Sequence, residues 1–292
     1  MVGMLERGGL GYQGGFVDAG GLRVHYLDYG PTESVVGAPE TVMLIHGGGA
    51  GAPVWTRQIA ALSKKFRVIA PDNPMFGLSV RSPVAWPIED FTTSYLVAFL
   101  DALGVKKASI AGLSLGGFGG LFLAIRHPER VARLALLDAA GLGTDLPWVF
   151  RLISVPGLSN IFTMPLRSMH DSYFSSHEVE HPDTADCEAF KRYAYAVGMN
   201  EGHGRAVRQS MPAFTNLRGQ RRIITDLELA RVQAPTLVIW GAEDKFFPVE
   251  HGHRASKAIQ GATLHVIAGA GHVTPLDAPD EVSGLLSEFF ER

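Results

Sequence analysis

Gly112-x-Ser114-x-Gly116 is the stretch of this 292-residue chain whose residue types and spacing most directly suggest chemistry. A serine hydroxyl can attack a carbonyl only where the backbone thrusts it clear of its own strand. Residues 108–113, with β-branched Ile110 among them, read as a buried strand, and residues 118–125 read as a helix. Strand, sharp turn and helix therefore follow one another. Gly112 and Gly116 remove the Cβ atoms that such a turn would crowd, and the N–H of Leu115 falls at a helix N-terminus, where developing negative charge is stabilised. The competing reading gives the glycines to close helix packing and leaves Ser114 incidental.

A serine nucleophile needs a base, and the base needs a group to orient it. Two late apolar runs end in loops that carry such groups. Residues 236–240 lead into Gly241-x-x-Asp244, and residues 263–268 lead into Gly269-x-Gly271-His272. In open α/β sheets ligands bind at the carboxyl ends of the strands, where Ser114, Asp244 and His272 would all lie. His272 would take the serine proton through one ring nitrogen while Asp244 holds the other. Asp138, which closes the run 131–138 after the serine turn, is the rival acid.

The strand Thr41–Ile45 runs into His46-Gly47-Gly48-Gly49-Ala50-Gly51, for which two readings compete. Gly47, Gly49 and Ala52, with Asp72 closing the next strand, satisfy a dinucleotide-binding pattern. The alternative is an oxyanion loop whose amides face the serine and whose glycines allow a substrate oxygen to come close.

The elements that must position these groups alternate. Residues 16–18 and 22–28 read as an antiparallel hairpin around Gly20-Gly21, followed by strand 41–45, helix 53–64, strand 66–70 and helix 90–103. After the serine turn come strand 131–138 and, late in the chain, strand 236–240, helix 249–259, strand 263–268 and helix 279–290. This order implies a mostly parallel sheet with helices on both faces. From Gly141 to about Thr225 the pattern gives way to a Pro-, Met- and aromatic-rich stretch, read as a helical insertion with helices over 186–197 and 204–211. The expected organisation is a core of residues 1–140 and 226–292 with an inserted cap of residues 141–225.

Composition bounds the rest. A chain with 46% hydrophobic residues can bury a sizeable core, and a formal net charge of -3 without long charged runs gives no footprint for nucleic acid or an anionic membrane. The single cysteine, Cys187, excludes an intrachain disulfide. Residues 108–125 are 18 uncharged residues, but five are glycines and the serine turn interrupts them, so the run is read as strand plus buried helix. Residues 1–15 lack the apolar core of a signal peptide, and a cytoplasmic address is expected. His177-Glu178-x-x-His181 matches a zinc-protease string, yet Pro182 follows at once and ends any helix there, so neither a metal nor another cofactor is expected. His251-x-His253 reads as an exposed helix start.

With these residues in place, the sequence resembles the α/β-hydrolase family along nearly its whole length. The resemblance rests on His46-Gly-Gly-Gly49, Asp72-x-Pro74-x-x-Gly77-x-Ser79, Gly112-x-Ser114-x-Gly116, Gly241-x-x-Asp244 and Gly271-His272. It implies an eight-stranded, mostly parallel sheet, a helical cap, and oxyanion amides from Gly48 and Leu115. Within the family, the 46–52 loop is similar to that of the meta-cleavage-product hydrolases, which cut carbon–carbon bonds in dienoic diketones. Those enzymes typically carry Trp after the catalytic His, where this chain has Val273, and a cap arginine, for which Arg192 and Arg218 are candidates. The family's usual Gly in Asp-x-Pro-Gly is here Met75.

The activity expected first is hydrolysis of carboxylic esters of small to medium apolar substrates through an acyl-enzyme at Ser114. The alternative is hydrolysis of a carbon–carbon bond in a vinylogous diketone. A third reading, from another class, is a ligand receptor that retains the triad without turnover. Trp148, Phe150, Met211 and Phe214 are the candidate substrate-lining residues, the partner being a small molecule. Nothing in the sequence speaks to oligomeric state.

Overall fold

The computed structural model describes residues 1–32, 39–84, 87–155, 157–159 and 178–292. Its centre is a sheet of eight strands in the order β1-β2-β4-β3-β5-β6-β9-β10. The strands are β1 (Gly14–Asp18), β2 (Arg23–Tyr29), β3 (Thr41–Ile45), β4 (Arg67–Pro71), β5 (Ala108–Leu113), β6 (Val131–Leu137), β9 (Thr236–Gly241) and β10 (Thr263–Ile267). Within this sheet only the pairings β1–β2, joined by the hairpin around Gly20-Gly21, and β2–β4 are antiparallel. A separate two-stranded ribbon, β7 (Thr215–Asn216) with β8 (Gly219–Gln220), was not expected.

Continuous apolar runs become strands here because both faces of the sheet are covered. Side chains alternate between the faces. Leu44, Ala111, Leu113, Ala135, Leu137 and Ile239 join one core with the helices Thr56–Leu62 and Pro279–Glu291. Met43, Ile45, Ile110, Leu134, Leu136 and Val238 join the other, under the helices Ile88–Ala102, Leu115–Arg126 and Glu250–Ala258. Each fully buried Leu or Ile contributes about 1.5–3 kcal/mol, so the central strands hold the sheet in register far more firmly than the exposed edge strand β10.

The 18-residue apolar run resolves into β5 and the helix Leu115–Arg126 with Ser114 between them. Among the described residues no helix is long and apolar enough to cross a membrane. Residues 1–7 hold a short helix, Val2–Arg7, that sequence reading missed. Its Met4 and Leu5 are buried in the same core as Cys187, Phe190 and Tyr193 of the helix Ala185–Gly198. This helix and His203–Phe214 take the places expected for 186–197 and 204–211, both slightly longer. The helix Trp148–Ile153 precedes them. All three leave the chain between β6 and β9, over the carboxyl ends of the parallel strands.

Candidate active site

Ser114 sits between the last residue of β5 and the first of the following helix with φ 52° and ψ -115°, a backbone conformation that costs a side-chain-bearing residue of order 1–3 kcal/mol. Its neighbours make that turn sterically feasible. A Cβ on Gly116 would lie 2.1 Å from the carbonyl oxygen of Ile45, and one on Gly112 would lie 2.4 Å from that of Gly116. Ser114 N–H donates to the carbonyl of Leu137 on β6, at 2.8 Å, and the Ser114 carbonyl accepts from Ala140 and Phe118. Strained as it is, the turn is tied on both sides.

His272 lies in the loop after β10 and Asp244 in the loop after β9. His272 Nε2 is 3.0 Å from Ser114 Oγ, and His272 Nδ1 is 2.9 Å from Asp244 Oδ2. The other Asp244 oxygen accepts the N–H groups of Phe246 and Phe247 at 2.7 and 3.0 Å, which fixes the carboxylate in the plane the imidazole needs. Burial alone would lower the pKa of His272, but the charges of Asp244, Asp138 and Glu178 outweigh it and raise it above the ordinary imidazole value. The ring is also clasped by phenyl groups. Phe246 stacks on it at 4.5 Å between centroids, and Phe247 meets it edge-on at 5.1 Å.

Asp138 does not reach His272 with a hydrogen bond. Its oxygens accept the N–H of Gly241 at 2.8 Å and the hydroxyl of Thr274 at 2.7 Å, and burial together with the nearby Asp244 charge pushes its pKa well up. It ties β9 to the residue two beyond His272. Asp138, like Ser114, has a positive φ, 44°.

The glycine loop is braced from below by His46. Its Nδ1–H donates to the carbonyl of Gly47 at 2.6 Å, and its Nε2 accepts the N–H of Asn73 at 2.8 Å. Complete burial lowers the His46 pKa and keeps the ring neutral, as both bonds demand. A Cβ on Gly47 would approach that of Ser114 to 3.1 Å, whereas one on Gly48 would meet nothing within 4 Å. Glycine is thus needed at 47 for backbone approach to the serine, and at 48 the space is open towards the cavity. Leu115, first in its helix, has an N–H with no intrahelical acceptor. Gly48 and Leu115 both line the cavity beside Ser114.

The dinucleotide reading of the same loop fails. Asp72, which would face a ribose, is completely buried, and it accepts from the N–H groups of Ala52 and Leu78 and from His25 Nδ1 at 2.7–2.8 Å. A Cβ on Gly77 would sit 2.0 Å from its carboxyl carbon. Burial would raise the Asp72 pKa, but His25, His46 and the amides overcome it and lower it.

A cavity of about 530 Å³ opens on Ser114 and His272. Phe150, Met211 and Phe214 line it as expected, with Met75, Phe76 and Phe246. Trp148 does not: it is 66% exposed. The helix turns about 200° between 148 and 150, so Phe150 facing the cavity sends Trp148 to the opposite side. Arg192 and Arg218 are likewise exposed and outside the lining. Arg222 lines the cavity instead, ion-paired with Glu89 at 2.9 Å and with Glu228. Met75 has a left-handed φ of 84°, the conformation glycine would adopt at no cost, yet its buried side chain packs with Phe76 and Ala206 at the cavity wall. Of the zinc-protease string, His177 lies outside the described residues, Glu178 lines the cavity, and His181 is exposed.

Sequence reading missed Glu178, His203, Phe246 and Phe247. The phenylalanines come two and three residues after Asp244, and an acid whose oxygen caps the amides at those positions is the one signal that could have found them.

Strand order, serine turn and loop geometry define an α/β-fold hydrolase, and comparison with known proteins agrees: residues 40–279 match the α/β hydrolase fold family, to which the chain belongs. It is 30% identical to the 2-hydroxymuconate semialdehyde hydrolase of Pseudomonas sp. (strain CF600), over 93% of this chain and 91% of that protein. It is also 30% identical to the 2-hydroxy-6-oxo-6-(2'-aminophenyl)hexa-2,4-dienoic acid hydrolase of Metapseudomonas resinovorans, over 95% and 90% respectively. Among solved structures it is similar to the meta-cleavage product hydrolase of Pseudomonas fluorescens IP01, with a TM-score of 0.79 and 26% identity over 96% of this chain and 98% of the other.

Proposed function

We propose that this protein hydrolyses the carbon–carbon bond beside a ketone in a vinylogous diketone, with Ser114 as nucleophile, His272 as acid and base, and Asp244 as its orienting carboxylate. The observation that carries this reading is what the relatives aligned over more than nine-tenths of the chain are called: a muconate semialdehyde hydrolase, an oxo-dienoic acid hydrolase and, among solved structures, a meta-cleavage product hydrolase. It takes precedence over the ester hydrolysis expected from sequence.

The chemistry follows from the hydrogen bonds. His272 Nε2 takes the Ser114 proton as Oγ adds to the ketone carbon, and Asp244 stabilises the imidazolium. The oxyanion is held by the N–H groups of Gly48 and Leu115, donors of the kind whose individual loss costs about 10²–10³ in kcat. Collapse of the tetrahedral adduct breaks the carbon–carbon bond. Its electron pair leaves as a conjugated enolate, which receives the proton from His272, and the acyl group stays on Ser114. Water, deprotonated by His272, then releases the acid and restores the serine. The net change is addition of one water across the bond.

Carboxylester hydrolysis is a second reading because the same steps serve an alkoxide leaving group. One observation favours it: among the described residues the only arginine lining the cavity is already ion-paired, so no free guanidinium awaits a substrate carboxylate. Steady-state kinetics on a dienoic diketone beside a p-nitrophenyl ester series, with Ser114→Ala as control, separates the two. Diketone cleavage at a kcat/KM well above that of any ester supports the leading reading. The reverse order transfers the protein to the carboxylesterases, and tight binding without turnover would make it a receptor.

A further inference from the structure

The polar groups of the cavity wall, apart from the catalytic ones, differ in whether the protein satisfies them. Arg222 is held by Glu89 and Glu228. Gln220 accepts from the N–H of Gly141 at 2.6 Å and donates to the carbonyl of Asp145 at 3.1 Å. Thr215 donates to the carbonyl of Gly219 at 2.8 Å. Glu178 and His203 are left over.

Glu178 is anchored through its main chain, because its carbonyl accepts the N–H of Val273, the residue after His272, at 2.9 Å. Just beyond it, the Glu180 and His181 amides donate to Asp277, whose carboxylate also accepts the N–H of Gly271 in the catalytic loop. The backbone of Glu178 is therefore fixed against the His272 loop, and its carboxyl has no hydrogen-bond partner among the described residues. Burial pushes that carboxyl up to about 7, with His272 opposing. His203 Nδ1 is buried without a partner, and its ring, pushed down to about 4 by burial and Arg81, is neutral.

Above about pH 7 the Glu178 carboxyl is ionised and only accepts, His203 is neutral, and the one arginine of the described wall, Arg222, is already ion-paired. We propose that Glu178 determines specificity, and that the cavity selects substrates carrying a hydrogen-bond-donating amino or hydroxyl group on the arm that lies against the His272 loop, rather than a carboxylate there. The physical reason is that an ionised Glu178 at the cavity wall has no hydrogen-bond partner among the described residues, a cost that a donor-bearing ligand relieves and an anionic one aggravates. This rests on the cavity being the substrate site of the proposed hydrolase, but it can be tested without turnover.

The probes are 2-phenylethylamine, 2-phenylethanol and 3-phenylpropionate, titrated calorimetrically into the full-length Ser114→Ala protein at about pH 8, where Glu178 is ionised. The expected affinity order is amine, alcohol, carboxylate, with about tenfold or more between the first and last. Adding Glu178→Gln is expected to shrink that span to about twofold. A general loosening of the cavity would lower all affinities together and leave the ratios as they were. The proposal is overturned if the carboxylate binds best, if the order survives in the Glu178→Gln variant, or if none of the probes binds. Failure of the hydrolase reading would instead appear as absent turnover in the kinetic comparison, whatever the binding order.

Discussion

Two regions meet at the cavity and specify their side chains in different ways. The loops after β3, β5, β9 and β10 hold Gly48, Ser114, Asp244 and His272 through backbone constraints: a positive φ at Ser114, a glycine at 47 that no Cβ can replace without pressing on Ser114, and two amides that fix the Asp244 oxygen turned away from His272. Residues 141–225 contribute Phe150, Glu178, His203, Met211 and Phe214 through helix rotation and side-chain packing. A group fixed by backbone geometry leaves a short, ordered string of small residues in the sequence. A group fixed by packing leaves almost nothing. In the proposed mechanism the first region supplies chemistry and the second selection, so substitutions in them should fail differently.

The largest effect is expected from Asp244→Asn, which leaves the imidazole in the wrong tautomer and should lower kcat by about 10³–10⁴. Asp138→Asn is the control within the same region. Because Asp138 bonds to Gly241 and Thr274 and not to His272, its loss should cost less than about tenfold in kcat, as single-turnover measurements on the two variants would reveal. Equal losses would return Asp138 to contention as the orienting acid.

The pH profile sharpens the same point. Only neutral His272 can accept the serine proton, so kcat/KM falls as pH drops through its pKa. That pKa is raised, burial notwithstanding, by Asp244, Asp138 and Glu178, which puts the acid limb above the ordinary imidazole range. The residual activity of Asp244→Asn should show the limb moved to lower pH.

Phe246→Ala removes the ring stacked on His272 and should reduce kcat/KM by about tenfold, read in the same steady-state assay. In the inserted region, Phe150→Ala should raise KM with little change in kcat. Trp148→Ala, on the exposed side of the same helix, should alter neither KM nor stability by more than about 0.5 kcal/mol in denaturant titrations. A large KM effect at 148 with none at 150 would mean the helix presents the other face to substrate.

The legibility of the chain divides along that line. The first two sheet strands could be read from their alternation around Gly20-Gly21 and the six that follow from their apolar runs, and Thr41–Ile45 was placed to the residue. Ser114, Asp244 and His272 could be read because each follows such a run with glycine beside it. Trp148 was misplaced because composition marks an aromatic as apolar without saying which way its helix is turned. Arg192 falls on the exposed side of its helix and Arg218 in the turn between β7 and β8, neither of which charge alone reveals, while Arg222 reaches the wall. The helix Val2–Arg7 was invisible because its burial depends on Cys187 and Phe190, nearly two hundred positions away.

The most direct test of the account is reaction with an alkyl fluorophosphonate, followed by intact-mass measurement and peptide mapping. One adduct is expected, on Ser114, forming rapidly in the parent protein, far more slowly in Asp244→Asn and not at all in Ser114→Ala. An adduct that persists in Ser114→Ala, or that maps to another residue, would contradict the assignment of Ser114 as the nucleophile on which the mechanism rests.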